Sequence, residues 1–301
     1  MIDNKLIIGT RGSELALWQA YTVRDALLAV CDKEVEVKII STRGDERLEI
    51  ALHSNNLSKG LFTEELERDL RSGEIDFAVH SLKDLPVDME EGLTLSAVLK
   101  RADPRDVVLS NHKIEKLSDL SGHLIGTSSP RRVAQLKSLL DDSTKYQPIR
   151  GNVKTRIKKL RDGDYDSLIM AAAGIERLGL QDEVAMYLPL DSMLPAPGQA
   201  SVAVQCATSN EVACHYASLI NDEKSMLETS TERQLLLALG GGCALPLGAL
   251  CEVINEEKIK LSAVFASQDL NRASRLETIC EIDNLHEELR SFSEKLKASI
   301  K

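Results

Sequence analysis

Short apolar runs alternate with polar turns and helical periodicity from the start of this chain. Lys5–Thr10 reads as a buried strand, and Arg11-Gly12-Ser13 then turns into a helix from Glu14 to about Ala29. Leu15, Leu17, Trp18, Val23, Leu27 and Leu28 form its expected apolar set. Val35–Ile40 is a second strand that ends in Ser41-Thr42-Arg43-Gly44-Asp45. Residues 46–60 are polar and without a period, so Asn55-Asn56-Leu57-Ser58-Lys59-Gly60 is expected to be a mobile loop ahead of a helix over 62–72. Ile75–Val79 is a third strand, running into His80-Ser81-Leu82-Lys83-Asp84-Leu85-Pro86.

The pattern restarts after a polar crossing at 100–105. Leu124–Gly126 ends a strand, and Ser129 and Pro130 are natural first residues for a helix reaching about Leu140. Pro148-Ile149-Arg150-Gly151-Asn152 and Leu168–Met170 mark two more strand ends. A second crossing, Leu194-Pro195-Ala196-Pro197-Gly198-Gln199, precedes strand-like Val202–Cys206. A helix near 223–239 follows, then strands at 247–254, 259–265 and 276–282 and a helix from about 284. Alternating strands and helices predict α/β lobes with mostly parallel sheets. Residues 1–100 and 199–217 are expected to form one lobe, 104–195 a second, and 221–301 a small α+β domain with a three-stranded antiparallel sheet. The two lobes are expected to face each other across a cleft, with their strand ends inward.

Composition narrows the function classes. The 301 residues are 43% hydrophobic, 28% charged and only 3% aromatic, which fits a soluble protein with aliphatic cores. A formal charge of −10 argues against nucleic acid, yet several arginines are bunched, which suits a small anion held by local guanidinium forks. The six cysteines and six histidines show neither CxxC nor HxxxH spacing, so no metal site is expected. With no signal-like segment and no long apolar span, the expected location is the cytoplasm, with free thiols and no membrane partner.

Ligands of parallel α/β sheets sit beyond the carboxyl ends of the strands, where Arg11, Ser13, Arg43, Asp45, Lys83 and Asp84 all fall. Arg131 and Arg132 occupy the first turn of their helix, against the preference of a helix dipole for anions there. They read either as solvated surface or as the forks of a carboxylate site, to which Arg150, Arg156 and Arg177 could add. Cys243, behind Gly240-Gly241-Gly242, is either a small structural thiol or a reactive one on a bare loop. Asp84 reads either as a simple ion-pair partner or as an acid, base or charge stabiliser, and His80 as a hydrogen-bonded structural residue.

Seven stretches together resemble the hydroxymethylbilane synthase (porphobilinogen deaminase) family. They are Thr10-Arg11-Gly12-Ser13-Glu14-Leu15-Ala16-Leu17-Trp18-Gln19, Thr42-Arg43-Gly44-Asp45, Lys59-Gly60-Leu61-Phe62, His80-Ser81-Leu82-Lys83-Asp84-Leu85-Pro86, Gly126-Thr127-Ser128-Ser129-Pro130-Arg131-Arg132, Arg150-Gly151-Asn152-Val153 and Gly241-Gly242-Cys243. The resemblance implies two lobes similar to periplasmic binding proteins, a third domain, and a transferase that joins four porphobilinogen molecules with loss of ammonia. It implies a dipyrromethane cofactor on a thioether at Cys243, held by Lys83, Asp84, Ser129, Arg131 and Arg132. Arg11, Ser13, Phe62, Arg150, Arg156 and Arg177 are implied for the substrate and growing chain, Asp84 as the catalytic residue, and Lys59 in a lid. Action as a monomer is expected.

The chain departs from the family pattern in three places. Gly198-Gln199-Ala200-Ser201 stands where glycine, glutamine, glycine and alanine are usual, Gly240 replaces an acidic residue, and Gln205 replaces glutamate. The first bears on the crossing's geometry, because alanine does not easily take the positive φ open to glycine.

Overall fold

The computed structural model describes residues 5–42, 63–241 and 245–300. Contacts divide the chain into two units, residues 1–102 with 201–226, and residues 103–200 with 227–301.

The first unit holds a five-stranded sheet in the order β2-β1-β3-β10-β4. Its strands are β1 (Lys5–Thr10), β2 (Glu34–Ile39), β3 (Phe77–Ser81), β4 (Leu93–Val98) and β10 (Val202–Ala207). β1 runs parallel to β2 and β3, whereas β10 is antiparallel to β3 and β4. Side chains alternate between the faces, as a sheet covered on both sides requires. Leu6, Ile8, Phe77, Val79, Val202 and Val204 pack with α1 (Glu14–Leu28), while Ala78 packs with Leu66 and Leu70 of α2 (Glu64–Ser72) on the other face.

Two expectations about this lobe need correction. α1 buries Gln19, Ala20, Val23 and Leu27, while Trp18 and Leu28 are 38% and 48% exposed. Gln19 belongs inside because its Nε2 donates to Ser81 Oγ at 2.8 Å, which fixes the helix's rotation about its axis. The third strand lies two residues later than expected, so His80 and Ser81 are part of it.

In the second unit, one sheet has the order β7-β6-β8-β5-β9. These strands are β5 (Asp106–Ser110), β6 (Leu124–Gly126), β7 (Lys145–Gln147), β8 (Ser167–Ala171) and β9 (Met186–Tyr187). β6 is parallel to β7 and β8, and β5 is antiparallel to β8 and β9. The order repeats that of the first lobe. In both, the strand that follows a crossing enters antiparallel between two others. α3 (Pro130–Lys137), shorter than expected, covers one face, and α4 (Val153–Arg161) with α5 (Ala172–Glu176) covers the other.

The same unit carries the three-stranded antiparallel sheet of β11 (Leu247–Val253), β12 (Lys258–Ala266) and β13 (Ala273–Glu281), packed by α8 (Leu285–Ser299). An edge strand needs partners for its free N–H groups. Those of Ala249, Cys251 and Val253 donate to Pro195 O and to Glu232 and Glu228, the last two on α7 (Glu223–Ala238). The fold is therefore α/β, with two five-stranded mixed sheets and a small three-stranded antiparallel sheet. Among the described residues, no helix is long and apolar enough to cross a membrane.

Candidate functional site

In the first unit, the parallel strands β1 and β3 deliver their candidates to one sheet edge. Ser13 caps α1, its hydroxyl accepting from Ala16 N–H at 3.3 Å, with Arg11 two residues before it. β3 runs into a single 3-10 turn over Leu82–Asp84, in which Leu82 is buried, Lys83 half-buried and Asp84 exposed. His80 is buried, and its Nε2 lies 3.1 Å from Gln205 Oε1. Burial lowers this imidazole to about 4, with the Arg11 charge acting in the same sense, so it is neutral at physiological pH. His80 is thus the structural residue expected of it. Gln205, one of the departures, also donates to Glu67 Oε1 at 3.3 Å and so joins two buried polar groups.

Strands β6, β7 and β8 of the second lobe likewise end at one edge, with Ser129, Arg131 and Arg132 at the start of α3. Arg150 and Arg156 flank the start of α4, and Arg177 follows α5. The Ser129 hydroxyl accepts from Arg132 N–H, the N-cap expected from sequence. Arg131 and Arg132 are not solvated surface, being only 4% and 7% exposed. Both close on Asp106, itself 0% exposed. Arg131 Nη1 donates to Asp106 Oδ2 and to Leu194 O, both at 2.7 Å. Arg132 Nη2 donates to Asp106 Oδ1 and its Nη1 to Ile169 O, also at 2.7 Å. The two guanidiniums hold the Asp106 carboxyl well below the usual carboxylate range, against the desolvation that would raise it.

Arg150 is exposed and Arg156 half-buried, its Nε donating to Gly151 O at 2.8 Å. Arg177 donates from Nη2 to Ala200 O at 2.6 Å, and burial lowers its guanidinium to about 10, still protonated at neutral pH. Ala200 has φ of +74°, so the alanine does occupy the backbone region that favours glycine. The segment around it is held from several sides. Leu194 and Gln135 exchange a pair of hydrogen bonds, Gly198 N–H donates to Glu232 Oε2 at 2.7 Å, and Gln199 Nε2 donates to Pro104 O and Asp106 Oδ1.

Cys243, Arg43, Asp45, Lys59 and Phe62 lie outside the described residues. The approach to Cys243 is described as far as Gly241. Gly241 N–H donates to Leu236 O and Gly240 N–H to Leu237 O, both at 2.9 Å, closing α7 with a Schellman cap. Gly240 has φ of +114° and open space around it. Glycine at this departure suits a backbone that an acidic residue would strain.

A buried pair of arginines on one aspartate leaves a net charge of +1. The Nε atoms of both Arg131 and Arg132 are buried without a hydrogen-bond partner. Donors left over in a positively charged, desolvated setting suit a carboxylate, and dipyrromethane carries acetate and propionate groups. The residues present therefore fit that cofactor. Asp106 and Gln199 were not singled out from the sequence. For Asp106 the available signal was an acid placed directly before the apolar run Val107-Val108-Leu109.

Comparison with known proteins decides the family. The model of the porphobilinogen deaminase dipyrromethane cofactor binding domain matches residues 6–215, and that of the C-terminal domain matches 226–297. The chain belongs to the porphobilinogen deaminase family. A porphobilinogen deaminase of Syntrophomonas wolfei subsp. wolfei is 47% identical over 88% of this chain and 86% of its own length. One from Aliarcobacter butzleri is 40% identical over 88% and 85%, and porphobilinogen deaminase 1 of Streptomyces coelicolor is 38% identical over 100% and 96%. Among solved structures, a TRAP periplasmic solute binding protein from Desulfovibrio salexigens covers 77% of this chain and 75% of its own at 11% identity, with a TM-score of 0.45.

Proposed function

We propose that this chain is the transferase that builds hydroxymethylbilane from four porphobilinogen molecules in the cytoplasm, as a monomer. The observation that carries this reading is the porphobilinogen deaminase match over residues 6–215 and 226–297. Dipyrromethane, bound through a thioether at Cys243, would supply the free pyrrole carbon to which the first unit is joined, with each later unit joining the end of the growing chain. Arg131 and Arg132 hold one of its carboxylates with their remaining N–H groups, and Lys83 and Ser129 hold others. Burial keeps Cys206 and Cys280, whose thiols are pushed up to about 12, protonated and poor nucleophiles.

On the same reading, Arg11, Ser13, Arg150 and Arg156 bind the carboxylates of incoming porphobilinogen, with Phe62 beside its ring. Asp84 supplies a fixed negative charge where positive charge develops as ammonia departs. Its exposed place on a one-turn helix leaves that carboxylate accessible to a ligand. Arg177 accommodates the lengthening chain, and the segment around Lys59 serves as a lid.

Intact mass tests the reading directly. The protein, once supplied with porphobilinogen, should carry the mass of two pyrrole units, and Cys243→Ala should not. An unmodified wild type overturns the assignment. Asp84→Ala should keep the added mass yet lose turnover by about 100-fold or more. Full activity in that variant would remove the role given to Asp84.

A further inference from the structure

We propose that Asp106 is a positioning residue for capture of the dipyrromethane primer, acting through Arg131 and Arg132, and that Gln199 holds it in place. This rests on the functional reading above and adds two residues to it. Two guanidiniums at a helix start oppose both the dipole and each other, and burying them is unfavourable without a counter-charge. Asp106 gives one oxygen to each, while Leu194 O and Ile169 O each take a further N–H. Each guanidinium is therefore pinned at two points, which fixes its plane and leaves its Nε unspent. The same carboxylate sets the charge, since two arginines and one aspartate sum to +1, which a single ligand carboxylate neutralises. Without Asp106 the pair would stand at +2 and would lose the bonds that orient it.

Gln199 secures the aspartate. It is 0% exposed, and its Nε2 donates to Asp106 Oδ1 at 2.9 Å and to Pro104 O at 2.8 Å. The side chain of the second crossing thus holds the backbone of the first and the carboxylate that follows it. The sheet does not itself demand an acid at this place. Asp106 lies opposite Ala171, the last residue of β8, and in the first lobe the residue opposite the last residue of β3 is Val202.

The test uses the full chain, with Asp106→Asn, Gln199→Ala and a control, Leu120→Ala, that opens a cavity in the core of the same lobe. Each is supplied with porphobilinogen well below its unfolding midpoint, and the fraction gaining two pyrrole units is followed by intact mass. Asp106→Asn should gain the mass roughly tenfold more slowly or worse, while Leu120→Ala, though less stable, primes as wild type does. Priming of Asp106→Asn within about twofold of wild type, or an equal loss in Leu120→Ala, overturns the proposal. If Asp106→Asn does not fold, Gln199→Ala decides, because it leaves all three charges in place. A loss of roughly threefold or more then supports positioning, and a smaller one overturns it. A wild type that never gains the mass removes the functional reading together with this inference. A wild type that primes beside an unimpaired Asp106→Asn removes the inference alone.

Discussion

The two lobes share a strand order and differ in what they bury at the edge that carries their candidate residues. At the β8 end of its sheet, the second lobe buries Asp106 beneath two guanidiniums. At the matching place the first lobe buries Val202, and its candidates there are a half-buried Lys83 and an exposed Asp84. One backbone frame therefore supports two electrostatic solutions. A desolvated cation pair needs an internal counter-charge, whereas charged groups left toward water do not. Beside that edge the first lobe instead buries His80, kept neutral and joined to Gln205.

The largest expected effect tests this contrast directly. Asp106→Ala strands two buried guanidiniums and should cost about 3–5 kcal/mol in urea unfolding. Val202→Ala, at the matching position, loses only apolar contact and should cost about 2 kcal/mol. Equal losses would break the comparison.

Acid separates the lobes next. The folded His80 pKa of about 4 lies below its ordinary value of 6.5, so between those limits the unfolded chain binds the extra proton. Stability from this site is complete above pH 6.5 and falls as pH drops toward 4, by on the order of 3 kcal/mol. Asp106 has the same sign but acts in a more acidic window. Its depressed pKa gives stability that is intact above the ordinary carboxylate range and is lost only at lower pH. His123 in the second lobe is also lowered by burial, but it is more exposed and should weigh less. Hydrogen exchange at pH 7 and pH 5 should therefore loosen β3 and β10 before β5 and β8. Gln205→Glu, by placing a carboxylate against His80, should raise its pKa and flatten that loss, as NMR titration of the ring would show.

The smallest effect concerns the crossing. An alanine at positive φ costs about 1–2 kcal/mol, of which glycine's greater freedom in the unfolded chain offsets about 0.4–1 kcal/mol. Ala200→Gly should thus raise stability by roughly 0.5–1 kcal/mol, visible as a small increase in Tm. No gain would mean that the bonds from Arg177 and Gln199 already absorb the strain.

Much of this architecture was legible because each strand-loop-helix unit is local. The turn at Arg11-Gly12-Ser13, the cap at Ser129, the crossings and the three-stranded sheet all follow from neighbouring residues. Even the misplacement of Arg131 and Arg132 against a helix dipole could be read. Its resolution could not, because the acid lies 25 residues away in a polar run, Asp103-Pro104-Arg105-Asp106, that looks like solvated loop. Trp18 misled for the reverse reason. Its apolar ring suggested the core, yet Gln19 found a partner inside and turned the helix. Strand β5 was hidden behind the same polar run, and β4 and α6 (Glu211–Leu219) offered no motif to mark them.

The antiparallel strands also set an order of assembly. All five strands of the second lobe lie between residues 106 and 187, so that sheet can close as soon as its own segment is made. The first lobe must wait for β10, at residues 202–207, to enter between β3 and β4. On a ribosome the lobe that begins the sequence is thus the later one to finish, and until then β3 and β4 each have an edge open to a wrong partner.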